Sequence, residues 1–205
     1  MATKSNKTIV AGFYKHVIGQ RNEALIDTYV SGNYIQHSPS GKDGREGLRE
    51  MICFLKTLPS STEQKSPVKL LLADGNLVAG LLHISFMGKQ RFVVDLFRIQ
   101  DGQLAEHWDA VADTTRGDFD GIMIDPTADA KINKQIVQAK YKLESRKIHR
   151  IIAEGDVVIV QLEVVENGIQ FVRYDILRGI GAEIEKVLSI QQQIPDVMTH
   201  NNGML

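Results

Sequence analysis

The stretch Arg91-Phe-Val-Val-Asp-Leu-Phe-Arg-Ile-Gln-Asp-Gly-Gln-Leu-Ala-Glu-His-Trp-Asp109 decides the fold. It holds two runs rich in Val, Ile, Leu and Phe, separated by Asp101-Gly102, a pair typical of tight hairpin turns. The residues before it have the same character, with Asp74-Gly75 as the separator. Together these runs predict a meander of four antiparallel strands, over Val68–Ala73, Leu77–Phe86, Arg91–Ile99 and Leu104–Val111.

Helical spacing of apolar residues characterises the chain before these strands. Thr8–Ile18, Glu23–Val30 and Leu48–Leu55 each place apolar side chains three or four residues apart. Three helices followed by a run of hairpins, without alternating strand and helix units, predict an α+β fold in which helices cover one face of a curved sheet.

The strand block occurs a second time. A shift of 80 residues aligns Ala73-Asp-Gly with Ala153-Glu-Gly, and the same shift aligns Asp95 with Asp175 without a gap. This register predicts an internal duplication. We therefore predict a complete first domain over 1–112, a linker over 113–129 and a truncated second copy over 130–205, in which a single helix over about Ala130–Leu143 precedes the strands.

Composition limits the classes of function. The 205 residues carry a net charge of -1 and contain no basic block, so we expect no nucleic-acid partner. No stretch has the length or apolar character of a membrane span, and we expect no membrane partner and a cytoplasmic location. The single cysteine, Cys53, cannot form an internal disulfide, and its helical context predicts a small buried side chain.

Five motifs occur in this order along the chain: Phe13-Tyr14, Tyr34-Ile-Gln-His-Ser-Pro39, Gly44-Arg-Glu-Gly-Leu48, Asp95-Leu-Phe-Arg-Ile99 and Asp101–Asp109. Together they resemble the SnoaL-like polyketide cyclase family of the NTF2-like (ketosteroid isomerase-like) superfamily. The resemblance covers about residues 5–112 well and the second copy more weakly. It implies a cone of curved antiparallel sheet packed on three helices, followed here by a partial second copy of the sheet. It also implies an internal cavity for a small apolar ligand, and a homodimer or an intramolecular pseudo-dimer through sheet faces.

Asp95 is the first candidate catalytic residue. It interrupts an apolar strand, and burial of a carboxyl group in a cavity would raise its pKa and leave a neutral acid that can donate a hydrogen bond. The resemblance matches Asp95 to the aspartic acid that donates to the oxyanion in ketosteroid isomerases. A purely structural role remains open, because Asp175 repeats the residue in a copy that lacks the other site residues.

His37 and His107 are the candidate acid and base. Histidine titrates near neutrality and can accept a proton from a carbon acid. The resemblance aligns His37 with the segment that carries the isomerase general base, and it places His107 where the cyclases carry an acid/base aspartate. Each histidine could instead be a partly exposed residue that is satisfied by a backbone carbonyl.

The turn at Asp101-Gly102 determines which side chains share a face. A three-residue loop with Gly102 in a bulge would place Asp95 opposite His107, and we favour it, whereas a two-residue turn would place Asp95 opposite Trp108. In the favoured arrangement Asp95 and His107 lie beside Phe97, and Trp108 serves packing or a dimer interface more than it serves a ligand.

We assign five residues to substrate binding, namely Phe13, Tyr34, Phe97, Trp108 and Asp109. The resemblance aligns Phe13, which cannot donate a hydrogen bond, with the isomerases' oxyanion-hole tyrosine. Helical periodicity places Tyr14 about one position away from the core-facing stripe. We expect no metal site, because the histidines are scattered, and no cofactor, because nucleotide fingerprints are absent.

These expectations predict a cofactor-independent acid/base enzyme that promotes an aldol-type cyclisation or isomerisation of a small apolar carbonyl compound. The alternative is a non-catalytic small-molecule-binding or dimerisation module. The shift of eighty replaces His107 by Val187 and Asp109 by Ser189, so we expect proton transfer only in the first copy.

Overall fold

The computed structural model describes residues 5–59, 66–117, 119–180 and 183–205. Over these residues the chain forms four α-helices and two sheets, which confirms the predicted α+β class. The α-helices are α1 (Asn6–Phe13), α2 (Ile26–Tyr29), α3 (Gly44–Thr57) and α4 (Ala130–Leu143). A π-helical segment, Tyr14–Gly19, continues α1, and a short 3₁₀ helix, Glu23–Leu25, leads into α2.

The first sheet has five strands in the order β1-β5-β4-β3-β2. β1 is parallel to β5, and the other neighbours are antiparallel, as the meander predicted. The strands are β1 (Val30–Gln36), β2 (Val68–Asp74), β3 (Leu77–Phe86), β4 (Lys89–Gln100) and β5 (Gln103–Asp113).

The hairpin between β4 and β5 differs from both registers that the sequence suggested. Asp101 and Gly102 have φ values of 51° and 77°, and Gln100 pairs with Gln103 across a two-residue turn. Positive φ at both central residues matches the right-handed twist of the strands. The bulge lies within β5, where Ala105 is the extra residue.

This bulge sets the pairing in the middle of the hairpin. Asp95 pairs with Asp109, and Phe97 pairs with His107. The prediction that Asp95 lies opposite His107 is therefore wrong, and the alternative pairing with Trp108 does not occur either. Asp95 and His107 are diagonal neighbours on one face, so the prediction that they share a face with Phe97 is confirmed.

The second sheet has four antiparallel strands in the order β6-β7-β8-β9. They are β6 (Lys147–Glu154), β7 (Val157–Glu166), β8 (Ile169–Ile180) and β9 (Glu183–Gln193). β7, β8 and β9 begin and end 80 residues after β3, β4 and β5. Helix α4, which has the predicted bounds, packs on this sheet through Val137 and Tyr141.

The two sheets pack face to face around a shared apolar core. Leu72, Leu96 and Trp108 of the first sheet and Ile159 and Tyr174 of the second are among its buried side chains. The other face of the first sheet packs against α1, the π-helical segment and α3. Each face of the first sheet is therefore covered by protein.

The segment that was predicted as a linker contributes to the core between the sheets. Phe119, Ile122 and Ile124 are partly buried against it. Cys53 differs from its prediction, because it lies on the exposed side of α3. In the described chain no helix has both the length and the apolar character needed to cross a membrane.

Candidate active site

Asp95 lies in the middle of β4 with its carboxyl group between the sheet and the first helical segment. The residue is 7% exposed, and the Tyr14 hydroxyl donates a hydrogen bond to Asp95 Oδ2 at 2.6 Å. Gly80 pairs with Asp95 on β3, and a Cβ atom at Gly80 would lie 3.0 Å from the Tyr14 hydroxyl oxygen. Glycine at this position therefore leaves the space through which Tyr14 reaches Asp95.

Tyr14 lies on the core-facing side of its helix, so the prediction that it lies away from the core-facing stripe is wrong. Val10 is fully buried beside Phe13. Tyr14 follows Val10 by four residues, so it lies one turn further along the same side of the helix. The buried stripe is thus wide enough to include Tyr14, which supplies the hydroxyl that Phe13 lacks.

His107 connects Asp95 to the end of β1. Its Nδ1 is 2.9 Å from Gln36 Oε1, and its Nε2 is 3.0 Å from Asp95 Oδ1. Gln36 Oε1 also accepts a hydrogen bond from the Ser38 backbone N–H at 3.0 Å, which fixes the orientation of the amide. Because an amide oxygen only accepts hydrogen bonds, Nδ1 of His107 carries a proton. A second proton lies in the hydrogen bond between His107 Nε2 and Asp95 Oδ1.

Asp109 is the second carboxyl group of the cluster. The Ser38 hydroxyl donates to Asp109 Oδ2 at 2.9 Å, whereas Asp109 Oδ1 is buried without a hydrogen-bond partner among the described residues. Burial is the largest cause that raises the pKa of Asp109, to about 6, with a further contribution from the charge of Asp95. This carboxyl group therefore titrates closer to neutrality than an exposed aspartate.

The pKa values of the two neighbouring groups are also shifted. Burial alone would lower the pKa of His107, but the hydrogen bond to Asp95 and the charges of Asp95 and Asp109 outweigh it and raise the pKa. Burial, followed by the charge of Asp95, raises the pKa of Tyr14 well above its usual value. Tyr14 thus remains a hydrogen-bond donor throughout the neutral range.

Aromatic side chains lie next to the cluster of Asp95, His107 and Asp109 on the helix-covered face of the first sheet. The Phe97 ring stacks on the His107 ring with centroids 4.6 Å apart, and Phe13 meets Phe97 edge to face at 5.9 Å. Tyr34 is buried, and its hydroxyl accepts from Gln36 Nε2 at 3.3 Å. Three of the residues predicted to bind substrate, Phe13, Tyr34 and Phe97, therefore lie next to the cluster that contains the fourth, Asp109.

The structure does not bring His37 to this cluster. Its ring Nε2 is 3.1 Å from Glu106 Oε1, and its ring stacks on Trp108 with centroids 4.6 Å apart. Glu106 and Trp108 alternate with His107 along β5 and so lie on the opposite face of the sheet. His37 and His107 are therefore separated by the sheet and cannot act on one substrate atom.

Trp108, which was also assigned to substrate binding, lies in the core between the two sheets and is 2% exposed. The Arg150 guanidinium is centred 3.9 Å from the Trp108 ring centroid, which places a residue of the second sheet against it. The structure thus gives Trp108 a packing environment away from the cluster.

The C-terminal tail holds the loop that carries Gln36 and Ser38. Asn202 Nδ2 donates to the Gln36 backbone oxygen at 2.9 Å, and His200 Nε2 is 2.9 Å from the Ser38 backbone oxygen. His37 Nδ1 is 2.9 Å from the Gly203 oxygen. Residues from the end of the chain therefore fix the loop whose side chains contact His107 and Asp109.

Asp95, His107 and Asp109 could also share a cation. One ligand atom of each lies within 4.8 Å of the others, a proximity that the scattered histidines of the sequence did not suggest. Each of the three residues also has a hydrogen-bond partner outside the trio. Tyr14 contacts Asp95, Gln36 contacts His107 and Ser38 contacts Asp109. These contacts orient the three groups, and the hydrogen bond between His107 and Asp95 shows that the same groups can hold a proton.

Comparison with known proteins finds similarity among solved structures. No family model matches the chain, and no curated protein matches it. A SnoaL-like polyketide cyclase from Agrobacterium tumefaciens is 12% identical, with a TM-score of 0.42, over 53% of this chain and 92% of that one. The chain resembles SnoaL-like and NTF2-like proteins.

Two further structures show the same extent of similarity. An NTF2-like protein of unknown function from Cytophaga hutchinsonii is 18% identical, with a TM-score of 0.42, over 56% of this chain and 95% of that one. A protein of unknown function with a cystatin-like fold from Xanthomonas campestris is 24% identical, with a TM-score of 0.45, over 55% of this chain and 94% of that one. Each of these relatives thus matches about half of the chain.

Proposed function

We propose that the Tyr14–Asp95–His107–Asp109 cluster catalyses cofactor-independent proton transfer at a carbon next to the carbonyl group of a small apolar compound. The observation that carries this proposal is the 3.0 Å contact between His107 Nε2 and Asp95 Oδ1 beside an Asp109 oxygen that has no partner among the described residues. The cluster combines a pair that holds a proton with a carboxylate that can accept one.

The two roles follow from the hydrogen bonds. Asp109 is ionised above pH about 6, and its free Oδ1 is the base that removes the proton from carbon. The proton between His107 and Asp95 is donated to the carbonyl oxygen as negative charge develops there. Tyr14 keeps the Asp95 carboxyl group in position through Oδ2.

The surroundings favour an apolar substrate. Phe13 and Phe97 present aromatic surface next to the cluster, and the Tyr34 ring is buried nearby. These groups match a small hydrophobic carbonyl compound, as does the resemblance to cyclases and isomerases. An aldol-type cyclisation or an isomerisation both begin with removal of such a proton.

The test is exchange of the α-protons of cyclohexanone into D₂O, followed by NMR. We expect His107→Gln and Asp109→Asn each to slow the enzyme-dependent exchange by about 10²-fold or more. His149→Gln is the matched control, because His149 also faces a carboxylate, Glu163 at 3.2 Å, but lies in the second half. Addition of EDTA should leave the rate unchanged.

Equal rates in the wild type, His107→Gln and Asp109→Asn would refute catalysis by this cluster. Saturable binding of cyclohexanone without exchange would instead support the alternative, a binding module of the same fold. Loss of exchange on EDTA treatment would show that Asp95, His107 and Asp109 act through a metal and would overturn the proposed roles.

We also propose that the second half is a shortened copy of the first and that the two form an intramolecular pseudo-dimer. The Ala73 backbone N–H donates to Glu154 at 2.7 Å, and the Ala153 backbone N–H donates to Asp74 at 3.2 Å. These contacts are reciprocal under the shift of eighty, as in an interface with two-fold symmetry. Sedimentation should give a monomer of 22.9 kDa, and a stable dimer would contradict closure within one chain.

A further inference from the structure

A pocket of about 160 Å³ opens beside α4 in the second half, away from the proposed active site. Val137 of α4, Leu177 of β8 and Ile184 of β9 provide its apolar wall. This volume is well above what a single water needs, so the pocket has room for a small organic molecule.

Positive charge predominates around the opening of the pocket. Lys140, Arg146 and Lys186 line it, and Glu144 is the one acidic residue among the lining side chains of the described chain. Glu144 is already paired with Arg146 Nε at 2.6 Å. The lining residues therefore carry an excess of positive charge next to the apolar wall, which favours an anion.

Lys186 owes its position to a change in the strand register. In the first sheet Phe97 pairs with His107, whereas in the second sheet Leu177, the counterpart of Phe97, pairs with Lys186. The bulge of β9 lies at Val187. Lys186 thus occupies the place of His107, although the shift of eighty aligns Val187 with His107.

The carboxyl group beneath Lys186 has its own partners. Asp175 is fully buried and accepts hydrogen bonds from Tyr141 at 2.6 Å and from Ser189. Lys186 Nζ lies 3.4 Å from Asp175 Oδ2, and its side chain is 46% exposed. Since an ammonium group has three donors, Lys186 can contact Asp175 and still bind an anion in the pocket.

We propose that this pocket binds a short-chain monocarboxylate, with its carboxylate at Lys186 and Lys140 and its alkyl chain against Val137, Leu177 and Ile184. The apolar wall favours a carboxylate with a hydrocarbon tail over a phosphate ion, which has no apolar part. The site is distinct from the proposed catalytic cluster and takes a ligand of different charge.

The experiment titrates the full chain with butyrate at constant ionic strength and follows backbone amides of α4 and β9 by NMR. We expect saturable shifts with a Kd on the order of millimolar, as suits so small a ligand. Lys186→Met should weaken binding about tenfold or more, and Lys140→Met should also weaken it. Lys142→Met is the matched control, because Lys142 is exposed on the same helix and does not line the pocket.

The comparison ligands identify what the pocket recognises. Butyramide, the neutral analogue, and inorganic phosphate should produce much weaker shifts at the same amides. If butyramide binds as tightly as butyrate, charge does not contribute to recognition and the proposal is wrong. If phosphate binds as tightly as butyrate, the apolar wall does not contribute and the proposal is also wrong. An unchanged Kd in Lys186→Met would overturn the proposal, and the spectrum of each variant shows directly whether it is folded.

Discussion

Replacement of Tyr14 by Phe tests whether the hydroxyl tunes the pair formed by Asp95 and His107. The change removes the 2.6 Å hydrogen bond to Asp95 Oδ2 and leaves the ring in place. A hydrogen bond to a charged partner contributes about 1.5–3 kcal/mol, so we expect the free energy of unfolding to fall by about 2 kcal/mol. Without this donor the ionised form of Asp95 is less stable, and the shared proton moves towards Asp95.

The consequence for His107 is a lower pKa. The hydrogen bond and charge of Asp95 are what raise the pKa of His107 against the effect of burial. A change of about 1.4 kcal/mol in this interaction corresponds to about one pKa unit. We therefore expect the pKa of His107 in Tyr14→Phe to fall by about one unit, measured from the ring ¹⁵N shifts during a pH titration.

The chain provides a matched control in Tyr141→Phe. Tyr141 donates to Asp175 Oδ2 at the same distance, 2.6 Å, in the second half. Urea denaturation should show a comparable loss of stability in both variants, whereas only Tyr14→Phe should move the titration of His107. An unchanged His107 titration in Tyr14→Phe, or an equal shift in both variants, would refute the reasoning.

Three further predictions concern the surroundings of the cluster. Because the pKa of Asp109 rises from 3.8 to about 6 on folding, its contribution to stability is present below pH 3.8 and is lost as the pH rises through about 6. In urea denaturation, the free energy of unfolding of Asp109→Asn should therefore rise relative to that of the wild type by up to about 3 kcal/mol when the pH is changed from 4 to 7.5. The same difference between variant and wild type at both pH values would contradict this. Gly80→Ala places a Cβ atom 3.0 Å from the Tyr14 hydroxyl oxygen and should lower the free energy of unfolding by about 1–3 kcal/mol. The loss should be smaller when Tyr14 is already Phe, and additive losses in the double variant would refute the contact with the hydroxyl. Asn202→Ala removes the hydrogen bond to the Gln36 backbone oxygen and should lower stability by about 1 kcal/mol and slow α-proton exchange. The control is Asn201→Ala, because Asn201 is exposed. Equal effects of the two variants would show that Asn202 does not position the loop.

The fold was largely predictable because local patterns determine most of it. Runs of Val, Ile, Leu and Phe between Asp-Gly pairs located the strands, and the amphipathic pattern located α4 with its observed bounds. The register of the β4–β5 hairpin was not predictable in the same way. It depends on a bulge at Ala105, and a single alanine has no turn preference that would reveal an unpaired position.

The candidate site was predictable only in part. Asp95 and His107 share a face because the bulge at Ala105 moves the pairing by one residue from that of a plain two-residue turn. The bulged loop that the sequence favoured would move it by one residue in the other direction, so the predicted face was right although the predicted pairing was wrong. His37 could not be placed, since it follows the end of β1 and can turn to either face there. Gln36 was missed although it lies in a motif that the sequence singled out, and Tyr14 would have been found from its spacing of four residues from buried Val10.

The two halves differ in what covers their helical faces, and this difference accounts for the contrast between the two polar clusters. In the first half α1, the π-helical segment and α3 cover the face of the sheet that carries Asp95, and the end of β1 and the residues after it supply Gln36 and Ser38 as partners for His107 and Asp109. The described part of the second half has α4 alone on that face. Tyr141 and Asp175 form the same hydrogen bond there as Tyr14 and Asp95 in the first half. Lys186, which occupies the place of His107, is open to solvent. A closed polar cluster and an open pocket lined by lysines thus arise from the same strand order, with the bulge at a different position in the last strand.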